Sequence, residues 1–132
     1  SKELAQAKIE PDDIAYIHAH GASTVLGDIA ETKAILDVFA ESAHNLNISS
    51  TKSMTGHCLG AAGVIEVLAC ILAITKNVIP PTINHFTDDP AFDPKLNFTF
   101  NKAQEREVNA ALSNTFGFGG HNASVILKKY KP

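Results

Sequence analysis

From Leu59 to Lys76 the chain is apolar around almost the whole of a helical wheel: Ala61, Ala62, Val64, Ile65, Val67, Leu68, Ala69, Ile71, Leu72 and Ala73 leave no polar face. A helix of this kind has little to offer water and belongs inside a layered protein. Its one acid is Glu66, and burying a carboxylate without a partner is expensive. Two readings follow. Lys52, in the loop before the helix, pairs with Glu66 and pins the loop to it, or Glu66 reaches the helix surface. The longest unbroken apolar run, Val67 to Thr75, is too short to span a bilayer, and no membrane association is expected.

The rest of the chain alternates with this helix. Residues 1 to 8 read as the last turns of a helix with little to pack, and the chain as a fragment that begins without methionine. After the Pro11-Asp-Asp punctuation, Ile14 to Ile17 is a buried strand that ends at a His-rich loop. Gly27-Asp28 opens a second helix, with Asp28 as N-cap or first-turn acid and Glu31, three residues on, as a candidate capping-box partner. Ala34, Ile35, Val38 and Phe39 form the buried stripe of that helix. Asn47 to Ser50 is another strand. The proline-punctuated stretch 77 to 102 is a long irregular connection, and Asn109 to Thr115 and Ala123 to Lys128 are an antiparallel pair around a Gly-rich turn. Strand, helix, strand, helix, strand, strand is the order of an α/β half-domain with a mixed sheet.

At 132 residues, with 45% hydrophobic and 19% charged residues, the chain is a globular domain or a piece of one. A net charge of −3 without a Lys/Arg cluster argues against a nucleic-acid surface. Lys128, Lys129 and Lys131 read as a solvated tail. Two cysteines, Cys58 and Cys70, lie too near one apolar segment for a disulfide framework. With nothing resembling a signal peptide, the expected location is the cytoplasm.

Three loops at strand ends carry the reactive residues. His57 and Lys52 lie in a Gly-flanked loop before the apolar helix, where an imidazole can donate to developing negative charge or simply satisfy nearby backbone. His20 follows the first strand. His18 and His20 share a strand face, as a metal pair would, but no third ligand has suitable spacing, and no metal is expected. Cys58 beside His57 is poorly placed for a Cys-His dyad, since neighbouring side chains diverge. Both thiols read as small core residues. Phe118, held between Gly117 and Gly119-Gly120, reads as a gate, a packing plug or a plain hairpin turn.

Taken together, His18-Ala-His-Gly-Ala-Ser-Thr24 with Gly27-Asp28 and Glu31, Ser50-Thr-Lys-Ser-Met-Thr-Gly-His57 with Gly60-Ala-Ala-Gly63 and Glu66, Pro80-Pro-Thr-Ile-Asn84, and Asn114-Thr-Phe-Gly-Phe-Gly-Gly120 with Asn122 resemble the carboxy-terminal half of the elongating β-ketoacyl-acyl-carrier-protein synthases. The motifs run in the family's order along nearly the whole chain. The resemblance implies half of a thiolase-like fold, a mixed sheet with flanking helices that is layered αβαβα in the complete enzyme. It implies that residues 1–132 form the carboxy-terminal domain, with the nucleophilic cysteine in an absent amino-terminal half. His20 and His57 are similar to the two histidines that hold the malonyl thioester and stabilise its enolate. Lys52, paired with Glu66, is similar to the site's lysine, with Asp28 and Glu31 in support. Phe118 resembles the gating phenylalanine whose N–H serves the oxyanion hole.

Family members usually read Asn-Ala-His-Gly-Thr-Ser-Thr. Here His18 and Ala22 replace the Asn and the first Thr, which leaves Thr24 for the pantetheine arm, and His121 stands where threonine is frequent. The implied activity is decarboxylative condensation of an acyl chain with malonyl-acyl-carrier protein in fatty-acid synthesis. The implied partners are the carrier protein, the amino-terminal half and, in the complete enzyme, a second copy, with no cofactor. The rivals are a non-catalytic chain-length subunit of a polyketide synthase and an inactive isolated fragment. On any of these, the face of the apolar helix that the other half covers is exposed in this chain, and the chain alone is silent in condensation.

Overall fold

A computed structural model describes residues 2–131. The elements are α1 (Lys2–Ala7), β1 (Tyr16–His18), α2 (Val25–Phe39), β2 (Asn47–Ser49), α3 (Lys52–Thr55), α4 (Ala62–Lys76), β3 (Val78–Ile79), β4 (Gln104–Glu105), β5 (Ala110–Gly117) and β6 (His121–Lys128), with 3-10 turns at Pro11–Asp13, Ala40–Asn45 and Leu59–Ala61.

Side-chain alternation along the strands divides the interior in two. β1 lies between β2 and β5, parallel to both, and β6 runs antiparallel to β5 at the edge. In this register Ile17 sits opposite Ile48 and Leu112, and these three join Ile35 and Phe39 of α2 and Leu4 of α1 in one core. Tyr16 and Ala111 point the other way and pack with Cys70, Ala73 and Ile74 of α4, with Ile79 and with Val108. The result is a helix layer on each side of a mixed sheet, the expected class. The connection β1-α2-β2 covers one face and β2-α4-β5 the other. The loops that leave β1 and β2 therefore part in opposite directions, opening a crevice beyond the carboxyl ends of the parallel strands.

Several sequence expectations are corrected. α2 starts at Val25 with Thr24 as N-cap, so of the two readings Asp28 is the first-turn acid, and the capping box with Glu31 does not form. The buried face of α2 is Glu31, Thr32, Ile35 and Phe39, while Ala34 and Val38 are exposed. The stripe is rotated because Glu31 turns inward to bond backbone N–H groups, as described below. α1 is not idle: Leu4 is buried in the first core. The first residue of that expected helix lies outside the described residues. Within the stretch 77–102 and just beyond it, Val78–Ile79 pairs with Gln104–Glu105, a ribbon too short for periodicity to reveal. The residues from Lys52 to Thr55 form a helical turn instead of an open loop.

The apolar helix is buried on one face only. Ala62, Glu66, Cys70, Ala73 and Ile74 face the sheet, whereas Val64 (75% exposed), Leu68 (53%), Ile71 and Leu72 are open. The all-round apolar pattern thus serves two surfaces, one of which this chain does not cover. By length and composition alone the 18 residues Leu59–Lys76, with a mean hydropathy of 1.9, could cross a membrane, so the reach of this stretch exceeds the run from Val67 to Thr75. Here the helix is a layer of a mixed sheet. It ends at Asn77, whose left-handed backbone (φ 55°, ψ 38°) returns its N–H to the Ala73 carbonyl.

Candidate active site

The loop after β1 is fixed from below by an acid. The Glu31 carboxylate, 5% exposed, accepts the backbone N–H of His20 at 2.9 Å and of Gly21 at 3.0 Å, and the Asn114 side-chain amide at 3.2 Å. Burial pushes the Glu31 carboxyl above its ordinary range against the pull of these donors. Burial also raises Asp28, opposed by a backbone hydrogen bond from Ser23. Gly21 has φ +46°, and a Cβ there would lie 2.6 Å from the Ser50 Cβ. Only glycine lets the first two loops approach this closely.

The loop after β2 is fixed by a cation. The pair that the sequence anticipates forms: Lys52 Nζ donates to the Glu66 carboxylate and, at 2.6 Å, to the carbonyl oxygen of His20. Glu66 is 2% exposed and also accepts the Thr115 hydroxyl at 3.1 Å. One ammonium thus ties α4, the β2 loop and the β1 loop together.

On this frame the rings of His20 and His57 meet edge to face, with centroids 5.4 Å apart and an interplanar angle of 77°. Backbone N–H groups set both tautomers. Phe116 N–H donates to His20 Nδ1 at 3.2 Å, and Leu59 N–H donates to His57 Nδ1 at 3.1 Å. An N–H can only donate, so each neutral ring carries its proton on Nε2. Burial, then the charges of Lys52 and His57, hold the His20 imidazolium down at about 4. The arrangement offers neighbouring N–H donors on imidazoles, the equipment for stabilising an oxyanion or enolate. A cavity of about 510 Å³ opens beside His57, bordered also by Gly21, Ala22, Lys52 and Ser53 and walled by Phe92, Phe98 and Phe100.

Other candidates fall elsewhere. Phe118 is 91% exposed at the hairpin tip, and the ring against His20 is Phe116, 5.3 Å away. Thr24 is exposed at the start of α2. Cys58 turns its sulfur to the carbonyls of Thr55 and Gly56. Cys70 is buried, its thiol pushed up to about 12 by desolvation. His18 spends its ring nitrogens on Ala19 and Thr51, so it does not share an ion with His20. Asn114, Thr115 and Phe116 stand in a motif of the resemblance, but the sequence assigns them no role in the site. The available signal was a polar run, Ser113-Asn114-Thr115, after the apolar Ala110-Ala-Leu112.

The model of the β-ketoacyl synthase carboxy-terminal domain matches residues 1–86, well over half of the chain. The chain belongs to the β-ketoacyl synthase family. It is 49% identical over 128 residues to 3-oxoacyl-[acyl-carrier-protein] synthase 2 of Staphylococcus aureus (strain COL), covering 97% of this chain and 30% of that protein. It is 46% identical over 129 residues to the chloroplastic 3-oxoacyl-[acyl-carrier-protein] synthase I of Hordeum vulgare, covering 98% of this chain and 27% of the relative. A solved complex of a type II polyketide synthase acyl-carrier protein with its ketosynthase bound to the hexaketide superposes with a TM-score of 0.91 at 40% identity, covering 97% of this chain and 31% of that one. The chain therefore spans about a third of the length of the synthases it matches, and its mixed α/β fold is that of the carboxy-terminal half of the thiolase-like synthases.

Proposed function

We propose that residues 1–132 form the carboxy-terminal domain of a 3-oxoacyl-[acyl-carrier-protein] synthase that extends acyl chains in fatty-acid synthesis. The observation that carries this reading is the pair of imidazoles, His20 and His57, each fixed as an Nε2–H donor by a backbone N–H. In the complete polypeptide the acyl group rides on a cysteine of the amino-terminal half. The malonyl thioester loses CO2 by cleavage of its carboxyl carbon bond, and the electron pair becomes an enolate whose oxygen accepts from His20 and His57. The enolate carbon then bonds to the acyl carbonyl carbon. The cysteine thiolate leaves and is reprotonated. Neutral imidazoles suit this work because they stabilise the oxyanion without surrendering a proton.

Lys52 holds the two histidine loops in register. Thr24 contacts the pantetheine arm, and Phe118, free at the hairpin tip, gates the acyl site and lends its backbone N–H to the oxyanion hole. The partner is an acyl-carrier protein, as in the solved ketosynthase relative described above. The amino-terminal half covers the open apolar face of α4. By the same resemblance the complete polypeptide is a homodimer, and the two free thiols, Cys58 and Cys70, suit a reducing cytoplasm.

The test is to express the complete polypeptide and this chain separately, present each with acyl- and malonyl-acyl-carrier protein, and follow acylation and product by mass spectrometry. The complete polypeptide should form the acyl-enzyme and a product two carbons longer, while the chain alone forms neither. An acyl-enzyme on Cys58 or Cys70 of the chain alone would contradict the reading.

A further inference from the structure

His18 ends β1 with none of its surface exposed, and the condensing chemistry above makes no use of it. Its ring lies edge-on to Tyr16, with centroids 6.1 Å apart. Two backbone groups decide its tautomer. The Ala19 carbonyl, 3.1 Å from Nδ1, can only accept, so Nδ1 carries the proton. The Thr51 N–H, 3.2 Å from Nε2, can only donate, so Nε2 presents its lone pair, with the Thr51 hydroxyl 2.8 Å from the same atom. His18 is therefore the opposite tautomer to His20 and His57.

Thr51 is the N-cap of α3, and Lys52 is the first residue of that turn. A contact at Thr51 fixes the backbone immediately before the lysine that reaches Glu66 and the His20 carbonyl. The charged and titratable groups around His18 are Lys52 and Glu66, the Tyr16 ring, and the Cys70 thiol, whose sulfur faces the His18 backbone N–H. Burial, ahead of either charge, holds the His18 imidazolium down at about 4, so the ring is neutral near neutral pH. A protonated ring would aim one N–H at another and set a second positive charge beside Lys52.

We propose that His18 is a positioning residue of the condensing site, an uncharged acceptor that holds the Thr51–Lys52 turn so that the Lys52 ammonium reaches the carbonyl oxygen of His20. The proposal rests on the condensing reading above. A histidine that merely filled space would require its shape; this role requires a lone pair at Nε2.

The test uses the complete polypeptide with His18→Phe, which keeps a ring and removes the acceptor, and His18→Gln, which places an amide oxygen near the position of Nε2. Losing the acceptor should slow malonyl-thioester decarboxylation about tenfold with cysteine acylation unchanged, and His18→Gln should restore most of the rate. On the parent, long-range ¹H–¹⁵N correlation spectra should place the proton of His18 on Nδ1 and those of His20 and His57 on Nε2. A His18 protonated on Nε2, or a His18→Phe protein that decarboxylates at the parent rate, would overturn the proposal. If His18→Phe does not fold, the glutamine variant and the tautomer decide it: a slow His18→Gln overturns it. If the parent decarboxylates no malonyl thioester, the condensing reading fails by itself. The His18 tautomer and the Thr51 amide shift, near parental in His18→Gln, then still decide whether the turn is held as stated.

Discussion

Glu31 and Glu66 are both buried, one in each helix layer, and they are held in opposite ways. Glu31 is surrounded by neutral donors, the backbone of His20 and Gly21 and the Asn114 amide. Glu66 meets a full charge on Lys52 and one hydroxyl from Thr115. Asn114 and Thr115 are neighbours on β5, and strand alternation sends one to each face of the sheet and so one to each acid. Each glutamate therefore braces the same rim from its own side. Glu31 shapes the backbone of the His20 loop directly, and Glu66 acts through a lysine that reaches that loop's carbonyl.

The difference predicts unequal sensitivity. The largest effect should come from Lys52→Ala, which strands Glu66 in an apolar layer at a cost of about 3 to 5 kcal/mol; calorimetry on the complete polypeptide should show it, and a parental melting temperature would mean that the pair contributes nothing. Glu66→Gln should be milder, since the amide oxygen still accepts from Lys52. Glu31→Ala should cost about 2 to 3 kcal/mol, because it leaves two backbone N–H groups without their acceptor. Denaturant unfolding of that variant should fall between parent and Lys52→Ala. Glu31→Gln should cost about 1 kcal/mol, with one oxygen left to serve the N–H groups.

A smaller effect lies in the pH dependence. A carboxyl whose folded pKa lies above its unfolded value keeps its proton longer in the folded state. The stability from Glu31 is thus full below the ordinary carboxylate range and is lost as pH rises through the raised folded value. Glu31→Gln should remove that slope. Buried His18 and half-buried His20 act with the opposite sign. His18 and His20 are held down at about 4 from 6.5, so the unfolded chain binds protons first as pH falls. Stability is then lost between about 6.5 and about 4. Replacing Glu31 should leave that acid limb in place.

The same comparison explains what could be read from the sequence. Lys52 and Glu66 were legible as a pair because a lone acid in an apolar helix demands a cation, and one lay in the adjoining loop. The capping box at Glu31 does not form because two of its three donors are backbone N–H groups of the His20 loop, which no sequence pattern marks. The sheet class followed from element order, and the loops at strand ends located the rim. The rotation of α2 did not follow, since it depends on where Glu31 turns. Phe116 drew no role beside Phe118 because glycines draw attention to the hairpin tip, while the ring contact with His20 comes from the strand before it.

The central claim is that His20 and His57 act on the malonyl thioester as paired N–H donors. Its most direct test is to measure malonyl-thioester decarboxylation and cysteine acylation on the same samples of the complete polypeptide carrying His20→Ala or His57→Ala. Each variant should acylate like the parent and lose decarboxylation by about a hundredfold or more, the effect of about 3 kcal/mol from one oxyanion donor. Parental decarboxylation in either variant would remove that histidine from the chemistry and contradict the account.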